Sequence, residues 1–563
     1  MSFLDVTEAP PRAPSAKADP DWWRGAVIYQ IYPRSFQDSN SDGVGDLAGI
    51  IHRLPHVAAL GIDAIWISPF FRSPMLDYGY DVSDYRDVDP LFGTLGDFDA
   101  LIARAHELGL RVLIDLVMSH TSSEHPWFRQ SRSSRDNPKS DWYVWADAKP
   151  DGTPPNNWLS IFGGSAWQWD GERMQYYLHN FLVEQPDLNF HNPAVQEELL
   201  DIARFWLDRG VNGFRLDTVN FYFHDRELRD NPPLSPEHRN ENTAPAVNPY
   251  NFQDHLYDKT QPENIAFLKR LRAVMDEYPG TTSVGEVGES QRGTHVQAAY
   301  TAGDDLLHMC YDFDFLSNVY PTGTQIARVL ERYQKIVTEG WACWAYSNHD
   351  VVRHRTRWNL GEPAARLYAA LLMSVQGSVC LYQGEELGLT EAYVAYEDLQ
   401  DPYGKRFWPK FKGRDGSRTP MPWSADHANG GFTDGKPWLP VAMEHVERAA
   451  AVQDRDPDST LAFYRAMIAF RKAHPALVKG AMEIVEADET FVSLIRSDGR
   501  SDGRSDRAKR VFCAFNLSDA PRAVDLPQGA WRIDRGAPFT IDTNDSKTKL
   551  PPWQALYALS ENG

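Results

Sequence analysis

Short apolar runs rich in β-branched and aromatic residues alternate with stretches of helical periodicity along most of this chain. The runs fall at 26–32, 64–68, 111–116, 213–216, 282–285, 343–347 and 378–382. Between them, 95–108, 193–209 and 263–277 repeat apolar residues every third or fourth position, as amphipathic helices do. Strand followed by helix, many times over, makes βα units and a parallel sheet. Residues 306–311 supply a candidate eighth strand, so the expected fold class is α/β, an eight-stranded (β/α)₈ barrel.

Two regions break the alternation. Residues 125–187, dense in Trp, Gly, Pro and Asn, read as a small domain inserted after the third strand, and 392–440 as a long irregular insertion near the last barrel element. Barrel enzymes often build active-site walls from such insertions. After a helix at 459–473, strand-like runs at 490–495 and 511–516 predict a C-terminal antiparallel β-domain. The expected organisation is an N-terminal flexible arm at 1–21, a barrel over 22–124 and 188–473, the inserted domain at 125–187 and the β-domain at 474–563. A tandem repeat of Arg-Ser-Asp-Gly starting at Arg496 reads as a solvated hairpin loop.

Composition narrows the partners. The 563 residues carry 78 acidic against 57 basic side chains, a net charge of −21 that repels nucleic acid and anionic membranes. With 18 Trp, 24 Tyr and 27 Phe, the chain suits neutral sugars, whose C–H faces lie on aromatic rings while carboxylates accept their hydroxyl hydrogens. Cys310, Cys343, Cys380 and Cys513 show no metal spacing and read as buried thiols. The N-terminal arm has no apolar core, so no signal peptide is expected. The apolar run 367–382 is broken by Gln376 and Gly377 and is shorter than a membrane span. A cytoplasmic protein, monomeric or homodimeric, is the expectation.

Barrel enzymes carry catalytic side chains at the C-terminal ends of their strands. Four such ends hold acids or histidines: Asp115 with His120, Arg215 with Asp217, Glu286, and His349 with Asp350. Singly, each acid is as readily a helix N-cap or an ion-pair partner. Together, in this order and spacing, they resemble glycoside hydrolase family 13, the α-amylase superfamily, over nearly the whole chain from about Trp22.

The resemblance implies a TIM barrel and retaining glycoside hydrolysis, which needs two carboxyl groups roughly 5 to 5.5 Å apart. It makes Asp217 the nucleophile, Glu286 the general acid/base and Asp350 the third carboxylate, which grips sugar hydroxyls. Arg215 is placed to keep Asp217 ionised, and Glu286 is expected to carry the raised pKa alone. His120 and His349 resemble the histidines that bind the same sugar. Asp77 and Arg418 resemble a pair that binds the 4-hydroxyl of a terminal glucose and closes the pocket behind it. Tyr80 is placed to stack on that glucose. Phe162 and Phe181 are either hydrophobic walls of the site or ordinary packing.

The segment 185–189, Gln-Pro-Asp-Leu-Asn, is similar to the oligo-1,6-glucosidase and α-glucosidase branch. In similar enzymes Thr at the position of Thr218 accompanies α-1,4 cleavage and Val accompanies α-1,6. An exo-acting α-glucosidase of maltose-type substrates follows, with sucrose open and transfer to hydroxyl acceptors expected from segments 399–404 and 412–416. The alternatives are an oligo-1,6-glucosidase, a sucrose-active glucosyltransferase or, remotely, a non-catalytic barrel used as an interaction module. The Arg-rich loop of sucrose isomerases is absent after Asp350.

Oxygen ligands alternate at 38–46, with Gly43 giving the turn, as a calcium loop arranges them. Counting twelve from Asp38 reaches Gly49 where an EF-hand needs Glu, so this is not an EF-hand. The resemblance implies one structural Ca²⁺ or Mg²⁺ held by Asp38, Asn40, Asp42, Asp46 and the Val44 carbonyl. An Asx-rich turn without metal is the alternative, and no organic cofactor is expected. Ser119 stands where the family's other calcium site has Asn.

Overall fold

The computed structural model describes residues 19–498, 509–539 and 548–561. Eight parallel strands close into a barrel: β1 (Val27–Ile31), β2 (Ala64–Ile67), β3 (Arg111–Leu116), β4 (Gly213–Leu216), β5 (Thr282–Glu286), β6 (Met309–Tyr311), β7 (Ala342–Trp344) and β8 (Ser378–Tyr382). Neighbours follow chain order, and β8 returns to β1 with Val27 opposite Val379 and Gln30 opposite Tyr382. Because both faces of a barrel strand are covered, these strands read as continuous apolar runs and not as alternation. Ile28, Trp66, Leu113, Val284, Tyr311, Cys343 and Cys380 form one cluster, while Tyr29, Ile65, Val112, Phe214 and Leu381 join the helices in another.

Each strand is followed by a helix, and the ends of these helices are written in the sequence. Thr94 and Asp97 form a reciprocal capping box at Leu95–Glu107, and Asn192 caps Pro193–Asp208 with Pro at its first turn. Gly213 opens β4 against β5, where a Cβ would lie 1.9 Å from the Thr282 carbonyl oxygen. Only glycine fits there.

Two strands are shorter than expected, for local polar reasons. β7 ends at Trp344 and not at Ser347, because Asn348 Oδ1 accepts the amides of Asp350 and Val351 and Ser347 Oγ accepts that of His354. Those side chains turn the backbone out of the ladder. β6 begins at Met309, since the Leu307 amide is spent on the Tyr300 carbonyl at the end of the preceding helix.

Between β3 and its helix lies a three-stranded antiparallel sheet of Trp145–Ala146, Gln175–Leu178 and Trp167–Asp170, with its own apolar cluster around Trp158 and Trp167. Bridges from His120 to Asp187 and from Tyr143 to Leu188 tie it to the barrel mouth. At the C-terminus, Ala481–Asp488, Phe491–Ser497, Arg510–Asn516, Ala555–Ser560 and Trp531–Ile533 form a five-stranded antiparallel sheet in that order.

The repeat starting at Arg496 lies mostly outside the described residues, at 499–508, as does most of the N-terminal arm. Arg496 itself is not solvated. It is fully buried and donates to the carbonyls of Ser374, Val375, Leu477 and Gly480 at 2.7 to 2.9 Å, anchoring the β-domain to the barrel. Its repeat-like context hid a structural role. Among the described residues no helix is long and apolar enough to cross a membrane. The four cysteines are free and buried.

Candidate active site

Strand register sets Asp115 of β3 beside Arg215 of β4, and Leu216 of β4 beside Gly285 of β5. The acids that follow therefore converge on one guanidinium. Arg215 Nη1 donates to Asp115 Oδ1 at 2.9 Å and to Asp217 Oδ1 at 2.7 Å, and Nη2 lies 2.7 Å from Glu286 Oε1. Its Cζ sits 4.9 Å over the Trp66 ring. A planar donor fork stacked on an aromatic face is what lets one buried cation serve three carboxylates.

The chain then leaves β4 abruptly, with Thr218 in the left-handed region at φ 39°, ψ 49°. For a β-branched residue that conformation is strained, by about 1–3 kcal/mol. The bend aims its amide at Glu286 Oε2, 3.0 Å away, and its hydroxyl at Asp217 Oδ2, 3.2 Å away. One residue thus orients both carboxylates.

Burial pushes Asp217 and Glu286 up, each to about 7, against the pull of Arg215. Asp115 is pushed up to about 6 by the same burial. The expectation that Glu286 alone would be raised is corrected. Arg215 donates a hydrogen bond to Asp217 and makes an ion pair with Glu286, and at both acids burial outweighs its pull. Asp350 goes the other way: burial raises it, but His349, Arg414 and Arg418 outweigh burial and hold it well below the carboxylate range.

A second arginine cluster walls the site. Arg414 Nη2 donates to Asp77 Oδ1 at 2.8 Å and to Asp401 Oδ1 at 2.9 Å, and Nη1 reaches Asp350 Oδ1 at 3.2 Å. Arg418 donates to Asp350 Oδ1 at 2.9 Å and to the His349 carbonyl at 2.7 Å. Asp77, one of the two residues expected at the glucose 4-hydroxyl, pairs with Arg414, while the other, Arg418, meets Asp350 beside it. A short 3₁₀ turn, Asp415–Ser417, separates the two arginines, and Asp401 holds Arg414 toward Asp77. Gln185 Nε2 supplies Asp77 Oδ2 with a further donor at 3.3 Å.

This arrangement of acids and arginines can be set against known proteins. Residues 30–480 match the alpha amylase catalytic domain family. The chain belongs to the alpha-amylase family. It is 63% identical to a probable alpha-glucosidase of Rhizobium meliloti (strain 1021), over 96% of this chain and 97% of that one. It is 35% identical to an oligo-1,6-glucosidase of Heyndrickxia coagulans, over 96% and 100%. Among solved structures it is similar to the alpha-glucosyl transfer enzyme XgtA, at 54% identity and TM-score 0.91 over 96% and 99%. It is also similar to the trehalulose synthase MutB, at 33% and 0.84 over 96% and 100%.

Other side chains of this alpha-amylase family protein sit less freely than their motifs suggested. The Tyr80 hydroxyl is held between Asp115 Oδ2 at 3.0 Å and His349 Nε2 at 2.6 Å, and its ring lies parallel to that of His349 with centroids 5.4 Å apart. His349 Nδ1 in turn meets Gln30 Nε2 at 2.7 Å. Phe162 packs edge-on against Tyr403, with Arg414 Cζ 5.2 Å over its ring, and Phe181 lies between His120 and Phe221. Both phenylalanines therefore line residues of the site. Sequence reasoning missed Arg414, Asp401 and Gln185 as site residues. All three stood inside segments already singled out, and the four-residue spacing of Arg414 and Arg418 was the available signal.

The loop 38–46 offers the hard oxygen donors that Ca²⁺ and Mg²⁺ take. Here those oxygens serve the backbone. Asp38 accepts the amides of Asn40, Ser41 and Gly43, Asn40 that of Asp42, Asp42 that of Val44, and Asp46 those of Ser39 and Gly49. Among the described residues no three His, Cys, Asp or Glu side chains converge as a cation site. Gly43, at φ +92°, lets the loop lie against the Lys436 carbonyl, where a Cβ would come within 1.8 Å.

Proposed function

We propose that this protein is an exo-acting, retaining α-glucosidase that also passes glucose to hydroxyl acceptors. What carries the reading is the single buried guanidinium that donates to Asp217 and ion-pairs with Glu286 at adjoining strand ends. Burial raises Glu286 to about 7, so it can hold near neutral pH the proton a general acid must give, while Arg215 opposes the same rise at Asp217. The Asp217 carboxylate attacks the anomeric carbon, the bond to the leaving oxygen breaks, and Glu286 gives that oxygen its proton. Glu286 then takes a proton from the incoming water or alcohol as its oxygen displaces Asp217.

The polar wall of Asp77, Arg414, Asp350 and Arg418 supports a pocket closed around one terminal glucose, with His120, His349 and Tyr80 as its other polar lining. Transfer is supported by the similarity to an alpha-glucosyl transfer enzyme over nearly the whole chain. The four buried thiols suit a reducing compartment, and we place the enzyme in the cytoplasm.

Product analysis with maltose, sucrose and isomaltose, each with and without an added alcohol, tests this reading. Glucose from maltose, little from isomaltose, and an alkyl glucoside when alcohol is present are expected. Thr218→Val should move the preference toward isomaltose by about tenfold, the scale of one pocket contact. Isomaltose as the preferred substrate of the unaltered enzyme would overturn the linkage assignment.

We further propose that the loop 38–46 holds one Ca²⁺ or Mg²⁺ in a structural role, through Asp38, Asn40, Asp42, Asp46 and the Val44 carbonyl. Binding that favours the folded state should raise Tm by a few degrees when Ca²⁺ is restored after EDTA dialysis, with kcat of the folded enzyme unchanged. A Tm indifferent to millimolar Ca²⁺ and Mg²⁺ would leave the loop an Asx turn.

A further inference from the structure

A relay of hydroxyls runs from His120 to Asp217 through two residues of the strand ends. His120 Nε2 lies 3.0 Å from the Tyr80 carbonyl, an oxygen that can only accept, so Nε2 carries the hydrogen of this ring. Burial lowers the imidazole pKa to about 4 and keeps the ring neutral. The Gln185 amide nitrogen, 3.2 Å from the same nitrogen, is a competing donor that already gives a hydrogen to Asp77, and the Tyr80 carbonyl, at the shorter distance, decides the ring for Nε2–H. Nδ1 is then the accepting nitrogen, and Ser119 Oγ, 2.8 Å away, gives it its only hydrogen.

Ser119 Oγ is left as an acceptor, and it faces Thr218 Oγ1 at 3.0 Å. Thr218 also has one hydroxyl hydrogen, and Asp217 Oδ2 stands 3.2 Å from the same oxygen. Two acceptors compete for that hydrogen. Ser119 is buried and Thr218 nearly so, which leaves water little room to settle the competition.

We propose that Ser119 is a positioning residue that lets Thr218 release its hydroxyl hydrogen from Asp217 as the glucosyl–enzyme bond forms. The proposal deepens the retaining-glucosidase reading and rests on it. Before attack, Asp217 is an anion and the stronger acceptor, so it holds the hydrogen. Attack makes one oxygen of Asp217 an ester oxygen bound to the anomeric carbon, while the electron pair of the broken bond leaves on the oxygen that Glu286 protonates. The ester is a weaker acceptor than the anion, and the Thr218 hydrogen turns to Ser119 Oγ. Hydrolysis or transfer restores the anion and the hydrogen returns. Without the Ser119 oxygen, the buried hydroxyl has no good partner in the intermediate, and an unsatisfied buried donor is costly. Arg215, Asp115, Glu286 and Asp350 also bear on Asp217, with the Tyr80 and Tyr222 phenols nearby, and Arg215 donates to its other oxygen, Oδ1.

A double-mutant cycle on Ser119→Ala and Thr218→Val, read with p-nitrophenyl α-glucoside, tests this. The aglycone is fixed, so linkage preference does not enter. Ser119→Ala is expected to lower kcat about fivefold on its own and to change it by less than about twofold in the Thr218→Val background. KM should rise by the same factor in both backgrounds, because His120 loses its donor in either. Equal kcat losses in the two backgrounds, or no loss in either, overturn the proposal. An unaltered enzyme that fails to cleave the glucoside would instead overturn the retaining-glucosidase reading, so the two failures are distinguishable.

Discussion

Asp217→Asn is expected to lower kcat/KM for maltose or p-nitrophenyl α-glucoside by about four orders of magnitude or more, the scale seen when a covalent nucleophile is removed. The amide keeps the carboxylate's shape, and its oxygen can still accept from Arg215 Nη1, now 2.7 Å from Asp217 Oδ1. What it lacks is the negative charge that attacks the anomeric carbon. Arg215 retains Asp115 and Glu286 as partners in the variant, so no buried cation is stranded. Tm should therefore stay within a few degrees of the unaltered enzyme, and maltose should still bind in a calorimetric titration. Loss of activity with the fold and sugar binding intact separates chemistry from packing. Residual hydrolysis above about one per cent, well over that scale, would mean that another group attacks the sugar.

How far the sequence could be read depends on which physical constraint writes each feature. The barrel strands were legible because residues such as 64–67 and 378–382 must be apolar on both faces, and helix caps such as Thr94 with Asp97 mark boundaries by local hydrogen bonding. The strand-end acids were legible as a set through order and spacing. Pairwise geometry was not. Whether Asp77 meets Arg414 or Arg418 depends on how a 3₁₀ turn and Asp401 aim two guanidiniums, and nothing in the order of residues encodes that. Nor could the contacts of Arg215 be read, since its hydrogen bond to Asp217 and its ion pair with Glu286 arise from the register of three strands. Arg496 shows the opposite failure: a low-complexity motif suggested solvent, while four backbone carbonyls from distant segments bury it.

Arg215→Met tests the central claim from the electrostatic side, and here both stability and activity should fall. Removing one partner of a buried charge cluster costs about 3–5 kcal/mol, because the remaining charges lose compensation in a poorly solvated site. The size of the loss should depend on pH, and its sign follows from the acids. Asp115, at about 6, and Asp217 and Glu286, at about 7, already lie above the usual carboxylate range in the folded enzyme. Groups raised in this way lower stability as pH climbs from their unfolded values, about 4, toward their folded ones. Without Arg215 the folded values rise further, so the decline continues to higher pH. The Tm deficit of the variant should be small near pH 5, where the three acids are largely protonated in either protein, and should grow to several degrees or more by pH 8. A deficit that stayed flat across that range would mean that Arg215 acts by packing on Trp66 and not through its charge. Activity should fall by about three orders of magnitude or more, since at neutral pH Asp217 would hold a proton where its anion is required. Whatever activity remains should have its acid limb displaced to higher pH, as a nucleophile relieved of its paired cation demands.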